Sequence, residues 1–377
     1  MAEINRLFHL LVDSGGSDLH LRVGRPPLVR TDGEMVSLSD ESPLTDEDLQ
    51  RMIGEIIPEK NAKQFEEVHD TDFAYEIVGT LRLRCNVGMD RFGMTAVFRV
   101  IPVEVISADQ LGLPRAIRDL CMLSKGLVVV TGPTGSGKST TLAGMIDLIN
   151  DTRACHIITI EDPIEFVHKD KKCLLTQREV HTHTSAFSAA LRSALRQDPD
   201  IILVGEMRDL ETIEIAIETA ETGHLVFGTL HTTTAASTMD RIIDAFPEGR
   251  QNQIRAMLAN SLKGVVAQVL LKRVGGGRVA GMELLVADRG ISAMIRDGKI
   301  HQIPSAMQVG GALGMVTMNE SLCTLVSQGV VEPEEAYIKA VDKDDLVMML
   351  TNKGLPLPPH IQAAMEEKAA ATAAAQG

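Results

Sequence analysis

Gly126-Leu-Val-Val-Val-Thr131 is followed at once by Gly132-Pro-Thr-Gly-Ser-Gly-Lys-Ser139. The first stretch is a continuous apolar run, which is typical of a parallel strand buried on both faces. The second stretch fits the pattern G-x-x-x-x-G-K-[ST] at every position, and a helical segment, 139–150, comes after it. A strand, a glycine-rich loop and a helix in this order predict a phosphate-binding loop in an α/β domain.

The residue types of this loop suit the binding of ATP and Mg²⁺. Its glycines let backbone N–H groups wrap a phosphate, and the following helix adds its positive N-terminal end. We expect Lys138 to neutralise phosphate oxygens and the Ser139 hydroxyl to ligate Mg²⁺. The predicted nucleotide-binding residues are Gly132, Pro133, Thr134, Gly135, Ser136, Gly137, Lys138, Ser139 and Thr140.

Acidic residues follow two other apolar segments. Glu161 ends the strand predicted at 156–161, and Glu206 follows the strand predicted at 200–205. Ligands of open α/β sheets gather at the carboxyl ends of the strands, so both carboxylates are candidates for holding Mg²⁺ or orienting the attacking water. The sequence does not assign one role to each. His231 follows a further apolar strand and is a third candidate at this edge.

The hydrophobic pattern divides the chain into two parts. Residues 1–100 alternate as a small α+β domain, 101–115 contain the prolines and glycine of a linker, and 116–360 alternate strands with helices. That alternation predicts a parallel sheet with right-handed crossovers. The alanine-rich end, 361–377, is predicted to be a low-complexity tail.

Composition argues against some classes of protein. The formal net charge is -14 and aromatic residues make up 3% of the chain, which disfavours a nucleic-acid partner. The five cysteines are widely spaced and include no CxxC pair, which argues against a disulfide framework or a zinc ribbon. We expect a cytoplasmic protein without a leader peptide and without a spanning helix.

Four segments together resemble the signatures of the ring ATPases of type II secretion and type IV pili. They are the phosphate loop at 132–139, Ile160-Glu-Asp-Pro-Ile-Glu165, the segment 198–209, and Thr222-Gly-His-Leu-Val-Phe-Gly-Thr-Leu-His-Thr232. Within that superfamily the chain resembles the pilus retraction ATPases, the PilT family, over nearly its whole length. The four-cysteine insertion typical of the extension and secretion motors is missing.

This resemblance implies an N-terminal PAS-like α+β domain followed by a RecA-like P-loop ATPase domain, assembled as a homohexameric ring. It also implies roles for individual residues. Glu161 matches the proposed general base, Glu206 the glutamate that holds Mg²⁺ through water, and His231 a residue that approaches the γ-phosphate. The N-domain arginines that reach the phosphates match Arg82, Arg84 and Arg99.

The implied function is Mg²⁺-dependent ATP hydrolysis that powers pilus retraction and twitching motility. The implied partners are an inner-membrane platform protein and other pilus motor ATPases, with the ring peripheral at that membrane. One departure keeps an accessory retraction paralogue open: Gly290-Ile-Ser-Ala-Met294 stands where retraction motors usually carry Ala-Ile-Arg-Asn-Leu. A pilus-extension or secretion ATPase, a RecA-type nucleic-acid motor and a non-hydrolysing nucleotide-binding adaptor are the competing functions.

Overall fold

The computed structural model describes residues 2–31, 34–38, 41–77, 80–101 and 105–363. These residues form two compact units. One contains the described residues up to 101 together with Glu165–Val167, and the other contains the remaining described residues. The predicted domain limits stay predictions, since 102–104 of the predicted linker and 364–377 of the predicted tail lie outside the described residues.

The N-terminal unit is built on a six-stranded antiparallel sheet with the order β3-β2-β1-β6-β5-β4. The apolar side of α1 packs on this sheet because Leu7, Phe8 and Leu11 recur at helical spacing, and all three are buried. Phe8 meets Phe98 edge-on at 4.9 Å between ring centroids. The elements of this unit are α1 (Asn5–Asp13), β1 (Asp18–Arg22), β2 (Leu28–Thr31), β3 (Glu34–Ser37), α2 (Asp46–Gly54), α3 (Glu59–Val68), β4 (Asp70–Ile77), β5 (Leu81–Asp90) and β6 (Gly93–Ile101).

The second unit is built on a seven-stranded sheet with the order β13-β12-β7-β11-β10-β8-β9. Its elements are α4 (Arg115–Cys121), β7 (Gly126–Thr131), α5 (Lys138–Thr152), β8 (His156–Glu161), β9 (Leu174–Glu179), α6 (Phe187–Ala194), β10 (Ile201–Val204), α7 (Leu210–Thr222), β11 (Leu225–Leu230), α8 (Ala235–Asp244), α9 (Glu248–Ser261), β12 (Leu262–Lys272), β13 (Arg278–Val286), α10 (Arg289–Arg296), α11 (Ile303–Val309), α12 (Met318–Ser327), α13 (Pro333–Lys339) and α14 (Lys343–Asn352).

The central strand β7 is buried along its whole length, as its apolar run predicts. Leu127 and Val129 belong to the hydrophobic cluster on one face of the sheet, whereas Val128 and Val130 belong to the cluster on the other face. Because side chains alternate along a strand, this division shows that both faces are covered. The strand is therefore held on both sides up to Thr131, where the phosphate loop begins.

The prediction of a parallel sheet is correct for β7, β8, β10 and β11, which were predicted as strands, and wrong for β13; β9 and β12 were not predicted. Strands β12, β7, β11, β10, β8 and β9 pair in parallel, whereas β13 pairs antiparallel with β12. The reason is the short connection between them, since residues 273–277 are too few for a crossover.

Along the described chain, no helix combines the length and apolar character needed to cross a membrane.

Candidate functional site

The phosphate loop joins β7 to α5 through a backbone that requires glycine. Gly132, Gly135 and Gly137 have φ values of 144°, 77° and 89°. A Cβ atom added at Gly132 would lie 2.2 Å from the carbonyl oxygen of Gln268. Only glycine therefore fits at this point, both for its backbone conformation and for the close approach of β12.

Two polar groups of the loop test whether it fits a phosphate. The Ser136 Oγ is buried and has no hydrogen-bond partner among the described residues. The Nζ of Lys138 donates to the carbonyl oxygens of Gly132 and Pro133 at 2.8 and 3.1 Å, so its charge is held beside the loop. The loop thus offers a hydroxyl and a cation at the start of a 15-residue helix, and these groups fit a phosphate.

The predicted catalytic groups follow four strands that lie side by side in the sheet. Gly132 follows β7, His231 follows β11, Glu206 lies two residues after β10, and Glu161 is the last residue of β8. The order β7-β11-β10-β8 is parallel throughout, so all four lie at the same edge. This edge is where α/β folds bind their ligands.

Glu206 and His231 are in direct contact. The Nε2 of His231 lies 2.7 Å from the Oε1 of Glu206, and the carboxylate can only accept, so Nε2 carries the proton. Arg208 also donates to the same oxygen, although its side chain is 74% exposed. The sequence placed Glu206 and His231 at one edge, and the structure brings them together as a pair.

Glu161 is oriented by two residues that the sequence analysis missed. Thr159 Oγ1 donates to its Oε1 at 2.6 Å, and Gln177 Nε2 donates to the same atom at 3.3 Å. Thr159 and Gln177 are opposite each other in the register of β8 and β9. The available signal was the spacing of two between Thr159 and Glu161, which places both on one face of a strand.

A chain of hydroxyl groups leads from the end of β7 to α8. Thr131 Oγ1 accepts from the backbone N–H of Thr232 at 2.9 Å. The hydroxyls of Thr232 and Thr238 are 2.6 Å apart. The residue directly after His231 is therefore tied both to the strand that carries the phosphate loop and to the following helix.

The three N-domain arginines predicted to reach the phosphates lie on β5 and β6 of the first unit. Arg99 Nε donates to Asp18 at 2.7 Å. Burial raises the pKa of the Asp18 carboxyl, but hydrogen bonds from Ser17 and Arg99 outweigh this effect, so the pKa lies below its usual value. Arg82 and Arg84 face Glu76 and Asp72, each at 3.9 Å. The role of these arginines at a nucleotide stays a prediction.

The described residues offer few metal ligands. No group of three or more His, Cys, Asp or Glu side chains in this part of the chain could hold a metal ion. The predicted ligands Ser139 and Glu206 are too few to hold Mg²⁺ alone. Mg²⁺ commonly binds through one or two protein oxygens together with substrate phosphates and water, so this donor set fits a cation that arrives with a nucleotide.

The parallel sheet, the phosphate loop and the polar edge beside it define a P-loop ATPase. The family described as type II/IV secretion system protein matches residues 70–325. The chain is 50% identical to the type IV pilus retraction ATPase PilT of Pseudomonas aeruginosa, over 90% of this chain and 98% of the relative. It is 48% identical to a twitching motility protein of Neisseria gonorrhoeae, over 85% of this chain and 86% of the relative. The chain belongs to the type II/IV secretion system protein family.

The solved structures agree with this assignment. The crystal structure of the pilus retraction motor PilT with bound ADP superposes with a TM-score of 0.87 at 46% identity, covering 92% of this chain and 99% of that one. The predicted fold class, an N-terminal α+β domain followed by a P-loop ATPase domain, is therefore confirmed.

Proposed function

We propose that this chain is the ATPase motor of type IV pilus retraction. The proposal depends on its similarity to the Pseudomonas aeruginosa retraction ATPase along 98% of that protein's length. The phosphate loop, two carboxylates and a histidine at one sheet edge supply the groups that such a motor needs. An extension or secretion motor, a nucleic-acid motor or a non-hydrolysing adaptor has no comparable support.

Binding of ATP begins at the loop between β7 and α5. The backbone N–H groups of the loop that follows Pro133 and the N-terminus of α5 surround the β-phosphate, and the Ser136 hydroxyl donates to an oxygen. Lys138 leaves the backbone carbonyls that it now contacts and moves to the β- and γ-phosphate oxygens. ATP is held in this way mainly by charge and by backbone donors.

Hydrolysis requires an oriented water molecule and compensation of negative charge. Glu161, fixed by Thr159 and Gln177, is placed to orient the attacking water as the general base. Ser139 and Glu206 would hold Mg²⁺, which when bound offsets charge on the phosphate oxygens. His231 would donate to a γ-phosphate oxygen once its contact with Glu206 is released.

The assembly is proposed to be a homohexameric ring in the cytoplasm. The ring acts at the inner membrane through a platform protein of the pilus, together with other pilus motor ATPases. The phosphates of the nucleotide are also contacted by positively charged side chains of the first unit, those of Arg82, Arg84 and Arg99. Arginine suits this task because its planar guanidinium group matches the geometry of phosphate oxygens. Retraction then couples each hydrolysis event to removal of pilin from the fibre base.

The test combines phosphate release with motility. The purified chain should hydrolyse ATP with Mg²⁺, and its gene should restore twitching to a strain that lacks its pilus retraction ATPase. Lys138→Ala is the matched control, because it removes the positive charge that would contact the phosphates. This variant should lose both ATP hydrolysis and the restoration of twitching. Hydrolysis without restored twitching would contradict the retraction proposal. Restoration only in a strain that keeps its retraction ATPase but lacks an accessory retraction motor would identify an accessory motor instead.

A further inference from the structure

Gln268 on β12 spans the gap between the phosphate loop and the first helix turns that follow it. Its Nε2 donates to the carbonyl oxygen of Ser136 at 2.8 Å, and its Oε1 accepts from the hydroxyl of Thr141 at 2.8 Å. The side chain is 2% exposed. A buried amide with both ends bonded, one on the loop and one on α5, holds the two at a fixed separation.

The loop also packs directly on this residue. A Cβ atom at Gly137 would lie 2.8 Å from the Nε2 of Gln268, and one at Gly132 would lie 2.2 Å from its carbonyl oxygen. Both ends of the glycine-rich loop thus rest against a single residue of a neighbouring strand. Strand β12 pairs in parallel with β7, with Ala267 opposite Thr131, so Gln268 lies beside the start of the loop.

The bond to Ser136 determines where the next backbone N–H points. In a trans peptide the C=O and the following N–H lie in one plane and point in opposite directions. Because the Ser136 carbonyl is turned toward Gln268, the N–H of Gly137 points away from β12. Without Gln268 this peptide could rotate, and the phosphate would lose a donor held in advance.

We propose that Gln268 is a positioning residue for nucleotide binding: it fixes the Ser136–Gly137 peptide so that the loop's N–H groups are aligned before ATP or ADP arrives. This inference rests on the proposed function, since it assumes that the loop binds nucleotide. Gln268 acts equally on the bound substrate and on the transition state, and its loss therefore raises KM while kcat stays nearly unchanged.

Gln268→Met tests the proposal because methionine fills a similar volume without hydrogen bonds. Calorimetric titration of the full chain with ADP should show a Kd raised roughly tenfold to a hundredfold, the range for a buried backbone acceptor left without its donor. The ATP KM should rise to match, with kcat within about threefold of wild type. Thr141→Val removes only the second bond and should raise the ADP Kd by a smaller factor, about threefold.

Gln268→Glu provides a readout that a purely structural role would not move. A glutamate keeps the acceptor for Thr141, but it donates to Ser136 only when it is protonated. Burial favours protonation. The ratio of the ADP Kd of this variant to that of wild type should therefore decrease as the pH is lowered from about 8 to about 6.

Asn319→Leu is the matched control for the loss of a buried amide. Asn319 is 5% exposed and donates to the backbone carbonyl of Asp342, the residue before α14, and to the carboxylate of Asp345 in α14. The Asn319→Leu variant should have a lower melting temperature and an unchanged ADP Kd. An ADP Kd equal to wild type in folded Gln268→Met, or in Gln268→Glu at high pH, overturns the inference. Failure of the wild-type chain to bind ADP overturns the proposed function instead.

Discussion

The Nε2 of His231 lies 2.7 Å from the Oε1 of Glu206, which joins the residues that follow two neighbouring strands, β11 and β10. Glu206 is the proposed Mg²⁺ ligand and His231 the proposed contact of the γ-phosphate. A cation that Glu206 holds through water would compete with His231 for the carboxylate oxygen that His231 now contacts. The pair would then have two states, and the state of the nucleotide would decide between them.

His231→Ala should show whether His231 couples the state of the nucleotide to motility or only supports the fold. The side chain of His231 is 43% exposed, so its removal should leave the melting temperature and ATP affinity nearly unchanged. Hydrolysis should fall because the γ-phosphate loses its proposed donor. Twitching should fall as well, because Thr232, the residue after His231, is hydrogen-bonded to Thr131 and to Thr238 and would transmit the state of the nucleotide. Melting temperature, ATP affinity, ATPase rate and motility are to be measured on the same variant.

The exposed His301 provides the control, since His301→Ala should change none of these quantities. A large drop in melting temperature of His231→Ala, with a matching loss of ATP binding, would show that His231 only packs. Wild-type hydrolysis and motility would rule out a role in sensing the nucleotide.

Glu161→Gln and Glu206→Gln should each retain ATP binding and lose hydrolysis. One lost transition-state interaction of this kind costs roughly 2.7–4 kcal/mol, about a hundredfold or more in rate. Thr159→Val removes a hydroxyl that orients Glu161 at 2.6 Å and should lower the rate less, by about tenfold. Single-turnover hydrolysis and nucleotide titration measure the two effects separately.

Glu218 lies exposed on α7 and makes Glu218→Gln a suitable control. If both strand-edge variants hydrolysed ATP as fast as Glu218→Gln, the assignment of the edge would be wrong. A loss of binding in Glu206→Gln alone would point to a role for Glu206 in binding the nucleotide.

The sequence allowed prediction of those parts of the fold and site that are local in the chain. Strands β7, β8 and β10 occur within the predicted limits, because apolar runs mark buried strands. Strand β9 was missed because it lies at the sheet edge, is only half-buried over most of its length and contains Gln177 and Arg178. Its polar side chains resemble those of a loop.

The candidate site shows the same division. The phosphate loop, Glu161, Glu206 and His231 were predictable, because each follows an apolar strand. Gln268 was not, because its bond to Ser136 joins residues 132 positions apart and no local pattern marks either end. Its position depends on the pairing of β12 with β7, which is a property of the folded sheet.

Arg84→Ala tests whether the first unit contributes to catalysis. The Arg84 side chain is 50% exposed and its distance to Asp72 is 3.9 Å, so its loss should cost at most about 1 kcal/mol of stability. If Arg84 reaches a phosphate, the ATPase rate should fall at least about tenfold. Arg51→Ala is the control, since Arg51 is an exposed arginine of the same unit that pairs with Glu3. Equal rates for the two variants would remove Arg84 from the mechanism.

His168 should make the folded chain sensitive to mild acid. Burial lowers the pKa of its imidazole from 6.5 to about 4, with Lys171 acting in the same direction and Asp147 opposing. Between these two values the unfolded chain binds a proton that the folded chain does not, so stability is lost as the pH falls from about 6.5 towards 4. The loss amounts to about 3 kcal/mol.

His168→Leu should flatten this part of the stability profile, measured by urea unfolding across the same pH range. His301→Leu, at an exposed position, should leave the slope as in wild type. A wild-type slope in His168→Leu would mean that other groups cause the acid sensitivity.

The stretch 290–294 lies on α10, where Ile291 and Ile295 are buried and Gly290 is exposed. Gly290→Ala should stabilise the chain by at most roughly 0.5–1 kcal/mol, because glycine is a poor helix former and the nearest atom to the new Cβ is Asp288 Oδ1 at 3.3 Å. Urea unfolding measures this gain, and a less stable variant would show that the Asp288 side chain cannot give way.

Gly290→Ala, Ser292→Arg, Ala293→Asn and Met294→Leu together install the sequence usual in retraction motors. None of these residues lies at the nucleotide edge, so the ATPase rate should not change. Twitching in a strain without its retraction ATPase should be restored better than by the unaltered chain. The single variant Gly290→Ala controls for stability alone. Equal restoration by the single and fourfold variants would show that this stretch does not determine how well the chain drives retraction.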